Sequence, residues 1–137
     1  MTSSRKTLLT GAALSTVALV SAGVASAAPA STGAKLVVFY KTPADEKAFE
    51  KYYFGTHAPL ASKLPGLRSY IVSTTPVAGA DGKPSAVYSF FAELTFDSLA
   101  ALGAALGSTQ GGIVVGDLKN FAQAGTDITV FETKALV

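Results

Sequence analysis

The chain has 137 residues, of which 49% are hydrophobic and 15% charged, with 11 basic and 9 acidic side chains, one histidine and no cysteine. That length suits one ordinary domain behind a targeting segment. Without cysteine there are no disulfides and no thiolate metal sites, and a single histidine leaves no imidazole-rich metal centre.

In chain order, Arg5 and Lys6 form a short basic start, Thr7 to Val24 is uncharged and mostly small or apolar, and Ala25-Ser26-Ala27 fits the small-residue cleavage rule. Residues 1–27 therefore read as a signal peptide for export to the periplasm or the outside. Sec is preferred over the twin-arginine route, because only one arginine stands before the apolar run. Removing Arg5 and Lys6 leaves nine basic and nine acidic side chains and a formal charge of zero. The excess of positive charge is thus a targeting feature. It argues for neither nucleic acid nor an anionic membrane as partner, and no stable membrane anchor is expected after cleavage.

Residues 28–34 are small, polar and Pro/Gly-containing, a predicted disordered lead-in to a domain at 35–137. Lys35 to Lys41 is a first strand, apolar on both alternating faces. Thr42-Pro43-Ala44-Asp45 then predicts a helix start, with Thr42 as N-cap and Pro43 in the first turn. Phe49, Tyr53 and His57 recur at i, i+4 and i+8, flanked by Tyr52 and Leu60, which turns His57 toward the apolar side of that helix. Pro59 has no N–H for the carbonyl of Gly55, so a kink or break is expected near His57, freeing backbone groups that the imidazole could bond.

Leu64-Pro65-Gly66 ends the helical region. Leu67 to Thr75 reads as a second strand, Pro76 to Pro84 as a loop, and Ala86 to Phe96 as a third strand. Asp97 can cap a second helix carrying Leu99, Leu102 and Leu106. Gly107 to Gly112 should break it before a short helix from Ile113 to Ala122, and Thr126 to Lys134 is the last strand. The order strand, helix, strand, strand, helix, strand predicts an α+β, ferredoxin-like βαββαβ domain: an antiparallel sheet with helices on one face. Strands apolar on both faces leave the second face to be covered. A second copy meeting it across a two-fold axis is the simplest cover, so a homodimer is expected.

The run Tyr52-Tyr53-Phe54-Gly55-Thr56-His57-Ala58-Pro59-Leu60, followed by Leu64-Pro65-Gly66-Leu67, resembles the EthD family. The likeness continues through Ala92-Glu93-Leu94-Thr95-Phe96-Asp97-Ser98-Leu99 and Asp117-Leu118-Lys119-Asn120-Phe121, from about Lys35 to Thr133. The resemblance implies a small dimeric α+β barrel, associated with bacterial degradation of ethers and related organic compounds. Related barrels include cofactor-independent monooxygenases, isomerases and decarboxylases, so no cofactor is expected. The chain departs from the pattern in its export signal. It also has Thr95 where a larger aromatic residue is expected, which would alter the pocket.

His57 is the candidate general acid/base, with a structural role at the proline kink as its alternative. Glu93, an acid inside a strand with aromatic neighbours, is the candidate partner for the imidazole if its side chain faces the helices. Tyr40, Tyr53, Phe91 and Leu60 are the candidate ligand-lining residues, and Arg68 reads as a surface ion pair. Gly111-Gly112 matches no phosphate-binding fingerprint and reads as a turn. Two functions follow. One is an exported, cofactor-independent oxidoreductase or isomerase acting on a small hydrophobic or aromatic compound. The other is a non-catalytic module that binds an apolar ligand or serves as an accessory, with His57 structural.

Overall fold

The computed structural model describes residues 32–137. The predicted signal peptide and residues 28–31 of the expected lead-in lie outside the described residues. Four strands form one antiparallel sheet: β1 (Gly33–Lys41), β2 (Ser69–Val72), β3 (Tyr88–Phe96) and β4 (Thr126–Thr133), in the order β2-β3-β1-β4. This is the predicted ferredoxin-like arrangement. β1 begins two residues before Lys35, inside the expected lead-in, because Gly33 and Ala34 pair with Thr133 and Glu132 of β4.

Helices α1 (Glu46–Tyr52) and α2 (Ala58–Ala61) are joined without a break by a π-helical turn, Tyr53–His57. Asp45, not Thr42, caps α1: its Oδ1 accepts from the Ala48 N–H at 3.0 Å. The caps compete locally, and the helix starts at the residue whose carboxylate reaches the free amides. The effect of Pro59 is also milder than expected. The Ala58 N–H donates to the Tyr53 carbonyl, five residues back, so the chain widens by one residue and continues.

The second helical layer is α3 (Leu99–Gly107) and α4 (Thr109–Asp117), followed by a 3-10 turn, Leu118–Asn120. Ser98, rather than Asp97, caps α3, and Ser108 caps α4 with its Oγ 3.0 Å from the Gly111 N–H. The chain bends by 77° between these helices. Gly111 and Gly112 lie within α4, not in a turn. A Cβ at Gly111 would run into the carbonyl oxygens of Ala105 and Leu106, so only glycine allows the two helices to meet this closely. Gly66, at φ +76°, makes the turn that returns the chain to the sheet.

The core lies between this helical layer and one face of the sheet. Leu36, Val38 and Tyr40 of β1 and Phe90, Ala92, Leu94 and Phe96 of β3 pack against Phe49, Tyr53, Leu102, Val114 and Phe121. The alternate residues, Val37, Phe39, Phe91, Glu93 and Thr95, occupy the second face.

Candidate functional site: a histidine–aspartate pair beside three tyrosines

His57 sits at the end of the π-helical turn, with 4% of its surface exposed. Its ring packs on Phe121 at 4.5 Å between centroids and on Tyr53 at 5.4 Å. Its Nδ1 lies 2.9 Å from Oδ2 of Asp117, the last residue of α4. The other oxygen of Asp117 accepts from the Tyr52 hydroxyl at 2.6 Å and from Asn120 Nδ2 at 2.9 Å. The carboxylate is therefore held at both oxygens, and its acceptor character requires the proton of His57 to be on Nδ1. Nε2 is then the basic nitrogen.

Burial pushes the imidazole pKa below 6.5, and the bond and charge of Asp117 offset this only in part. Burial also pushes the Asp117 carboxyl up, but bonds from Tyr52, Asn120 and His57 reverse that and hold it below 3.8. At neutral pH the pair is a neutral imidazole beside a carboxylate.

His57 borders a cavity of about 50 Å³ between sheet and helices. Tyr40, Tyr53 and Tyr70 line it together with aliphatic side chains that include Val38, Leu94, Leu106, Val115 and Ile128. The Tyr53 and Tyr70 hydroxyls are hydrogen-bonded with their oxygens 2.5 Å apart, and the Tyr40 ring meets the Tyr53 ring edge-on. Burial pushes the Tyr40 and Tyr53 phenols far above their ordinary pKa of 10 and also raises that of Tyr70. All three keep their protons at neutral pH, and because one hydroxyl of the Tyr53–Tyr70 pair donates to the other, that pair has one proton left to offer elsewhere.

Three expected site residues meet here: His57, Tyr40 and Tyr53. Glu93 does not. Alternation along β3 puts it on the second face, where its carboxylate is 3.6 Å from Lys35 Nζ, while Lys35 also donates to Thr95 Oγ1 at 2.8 Å. Thr95 thus leaves the cavity unchanged, and the carboxylate at His57 is Asp117. Phe91 shares the second face with Glu93 and packs on Phe39. Leu60 packs at the edge of the core outside the cavity, its carbonyl accepting from Gln110 Nε2 at 2.8 Å. Arg68 pairs with Asp97 at 3.1 Å, as its surface reading predicts. No cluster of three metal-ligating acids or histidines occurs among the described residues. Asp117, Tyr70, Tyr52 and Asn120 were not legible as site residues. The signals were the presence of Tyr52 in the first family-like run and of Asp117 and Asn120 in the last.

An 11.0 kDa protein of Rhodococcus erythropolis, from the intergenic region between thcB and thcC, is 32% identical over 91 residues, 66% of this chain and 85% of that protein. An EthD-family protein from Bacillus halodurans superposes with a TM-score of 0.66 at 31% identity, covering 74% of this chain and 98% of its own. At 15% identity the fold alone is shared with SnoaB, a cofactor-independent oxygenase from Streptomyces nogalater (TM-score 0.53; 75% of this chain, 95% of that one). The family model for the EthD domain matches residues 41–125, across the helix that carries His57 and the one that carries Asp117, and the chain belongs to that family.

Proposed function

We propose that the protein is a cofactor-independent acid/base enzyme that takes a proton from a small, uncharged organic compound. The observation that carries this reading is the His57–Asp117 pair set against a cavity lined by three tyrosines. Asp117 fixes the tautomer, so the lone pair is on Nε2, the nitrogen left to meet a substrate in the cavity that His57 lines. A substrate C–H or O–H gives its proton to Nε2, and the electron pair remains on the substrate, drawn to its oxygen. The phenol hydroxyls stabilise that developing negative charge, as preorganised donors do in a site that excludes water. The proton returns to a different atom in an isomerisation. No lysine or arginine lines the cavity, which favours an uncharged substrate over a carboxylate. The fold shared with a cofactor-independent oxygenase is consistent with chemistry supplied by side chains alone.

The test is deuterium uptake into small aliphatic ketones and aldehydes in D2O, followed by mass spectrometry. The wild-type chain should accelerate exchange, and His57→Gln, with an unchanged fold, should lower the rate by about 10²- to 10⁴-fold, the usual worth of a positioned base. Equal exchange by both chains would remove the imidazole from the chemistry and leave a binding protein.

Two further properties belong to this proposal. The second sheet face, with Ile71 and Phe131 half exposed beside Val37, Phe39 and Phe91, supports a dimer in which two sheets meet. The basic, apolar and small-residue run of positions 1–27 supports export, which N-terminal sequencing of the protein recovered from outside the cytoplasm would test.

A further inference from the structure

The cavity beside His57 is small for the work assigned to it. At about 50 Å³ it has room for roughly two water-sized groups, given a liquid share near 30 Å³ per water. Ligand sites are usually about 300–1,000 Å³. Yet its wall is not sealed. Val115 of α4 and Ile128 of β4 line it, and both are about half exposed, at 51% and 47%. These side chains therefore belong to the cavity and to the outer surface at once.

The apolar surface continues beyond them. On β4, Val130 lies two residues past Ile128 on the same, helix-facing side, opposite Leu36 of β1, and is 49% exposed. Two residues of strand carry this strip a further ~7 Å from the cavity mouth. No charged residue is among the cavity-lining set, and the strip reaches a charge only at Glu132, whose carboxylate accepts from the Leu99 N–H.

We infer that the site takes a linear substrate: a small uncharged, oxygen-bearing head in the cavity and an aliphatic tail that leaves between Val115 and Ile128 and lies along β4 toward Val130. This rests on the acid/base reading and names its substrate class. The head meets His57 and the phenols, where a single oxygen is all the cavity holds with its carbon. The tail gains by covering apolar surface that water now wets. A rigid ring system would not enter without displacing the α4 wall.

The probe is the series of straight-chain 1-alkanols from about four to ten carbons, titrated calorimetrically into the full mature chain. The affinity should rise roughly two-fold or more per added methylene, somewhat less than the four-fold of complete burial. Val115→Gln and Ile128→Thr change half-exposed side chains and should preserve the fold. Each should flatten the dependence on chain length, and Val130→Thr, on the strip beyond the cavity lining, should weaken only the longer alcohols and leave the shortest bound as before. His57→Gln should weaken every member by a similar factor and keep the slope.

A flat series in the wild-type chain, a slope that survives Val115→Gln, or no binding at the solubility limit would overturn the inference. If the strip is instead covered by another copy, the series will be flat and Val115→Gln will change the mass seen by light scattering. A slope that persists while His57→Gln leaves all affinities and deuterium exchange untouched would overturn the acid/base reading and leave the tail site standing.

Discussion

Two buried or partly buried carboxylates lie on opposite sides of the sheet, Asp117 on a helix and Glu93 on a strand, and the two sides treat them differently. On the helix-covered face Asp117 is fixed at both oxygens, by Tyr52 and Asn120 on one and His57 on the other, and its neighbour opens onto a cavity. On the second face Glu93 has a lysine 3.6 Å away, and that lysine is buried and bonded to Thr95. The first arrangement orients a titratable ring with a free nitrogen. The second neutralises a charge among apolar side chains and leaves nothing aimed at a space. A carboxylate near aromatics is thus a chemical group on one face and a packing element on the other. The partner it meets decides which.

The largest expected effect comes from removing the acid on the covered face. Asp117→Ala leaves the His57 Nδ1–H buried without an acceptor and frees Tyr52 and Asn120. The cost should be about 2–4 kcal/mol, given the penalty for an unpaired buried donor plus the loss of bonds to a charged group. Thermal unfolding should show Tm lower by roughly 10 °C for a domain of this size. The pH dependence sharpens the point. The folded pKa of His57 lies below its unfolded value of 6.5, so its neutral form contributes stability that is complete above pH 6.5 and falls away as pH drops through the folded pKa. Asp117, also depressed, adds a second loss below about pH 4. The wild-type chain should therefore lose stability in two steps on acidification, and His57→Gln should lack the upper one.

The second face predicts a smaller effect, read out in assembly rather than folding. Glu93→Ala leaves Lys35 without its carboxylate. In a single protomer a partly exposed pair of this kind contributes about 1 kcal/mol or less. If two sheets meet on this face, the lysine becomes a charge without its acid inside an interface, and the dimer should weaken by ten-fold or more, about 1.4 kcal/mol. Sedimentation across a dilution series measures this. A dimer of unchanged strength would remove this face from the interface, and altered His57 imidazole resonances would break the separation between the faces.

The sequence carries the fold because the fold rests on signals of long period. Strand alternation around Phe39 and Phe90, and the Phe49–Tyr53–His57 stripe, place the sheet and the first helix from the sequence alone. The local ends shifted. Asp45 took the cap from Thr42, Ser98 took it from Asp97, and Gly111-Gly112 joined α4, because a helix–helix contact required glycine where local propensity suggested a turn. The site was half legible. His57, Tyr40 and Tyr53 share faces that periodicity defines. The choice between Glu93 and Asp117 was not legible, since alternation gives two faces without saying which is covered. Asp117 reaches His57 from 60 residues away, through the bend between α3 and α4, and that bend is set by packing.

A small stability change, but the most discriminating outcome, is expected from Tyr70→Phe. Tyr70 stands on β2, at the edge of the sheet, and its hydroxyl is 2.5 Å from that of Tyr53. Removing it keeps the ring and takes away the hydrogen-bond partner of the Tyr53 hydroxyl. The loss in stability should be about 1 kcal/mol, the net worth of one hydrogen bond. If the phenols only fill a core, deuterium exchange into ketones should follow that small change. If they stabilise charge on a substrate oxygen, exchange should fall by about 10²-fold, as loss of one preorganised donor does. His57 should keep its pKa, because Tyr70 is not among the groups that shift it. A large loss in rate with an unmoved imidazole would place the effect on the substrate oxygen, since the base itself would be intact.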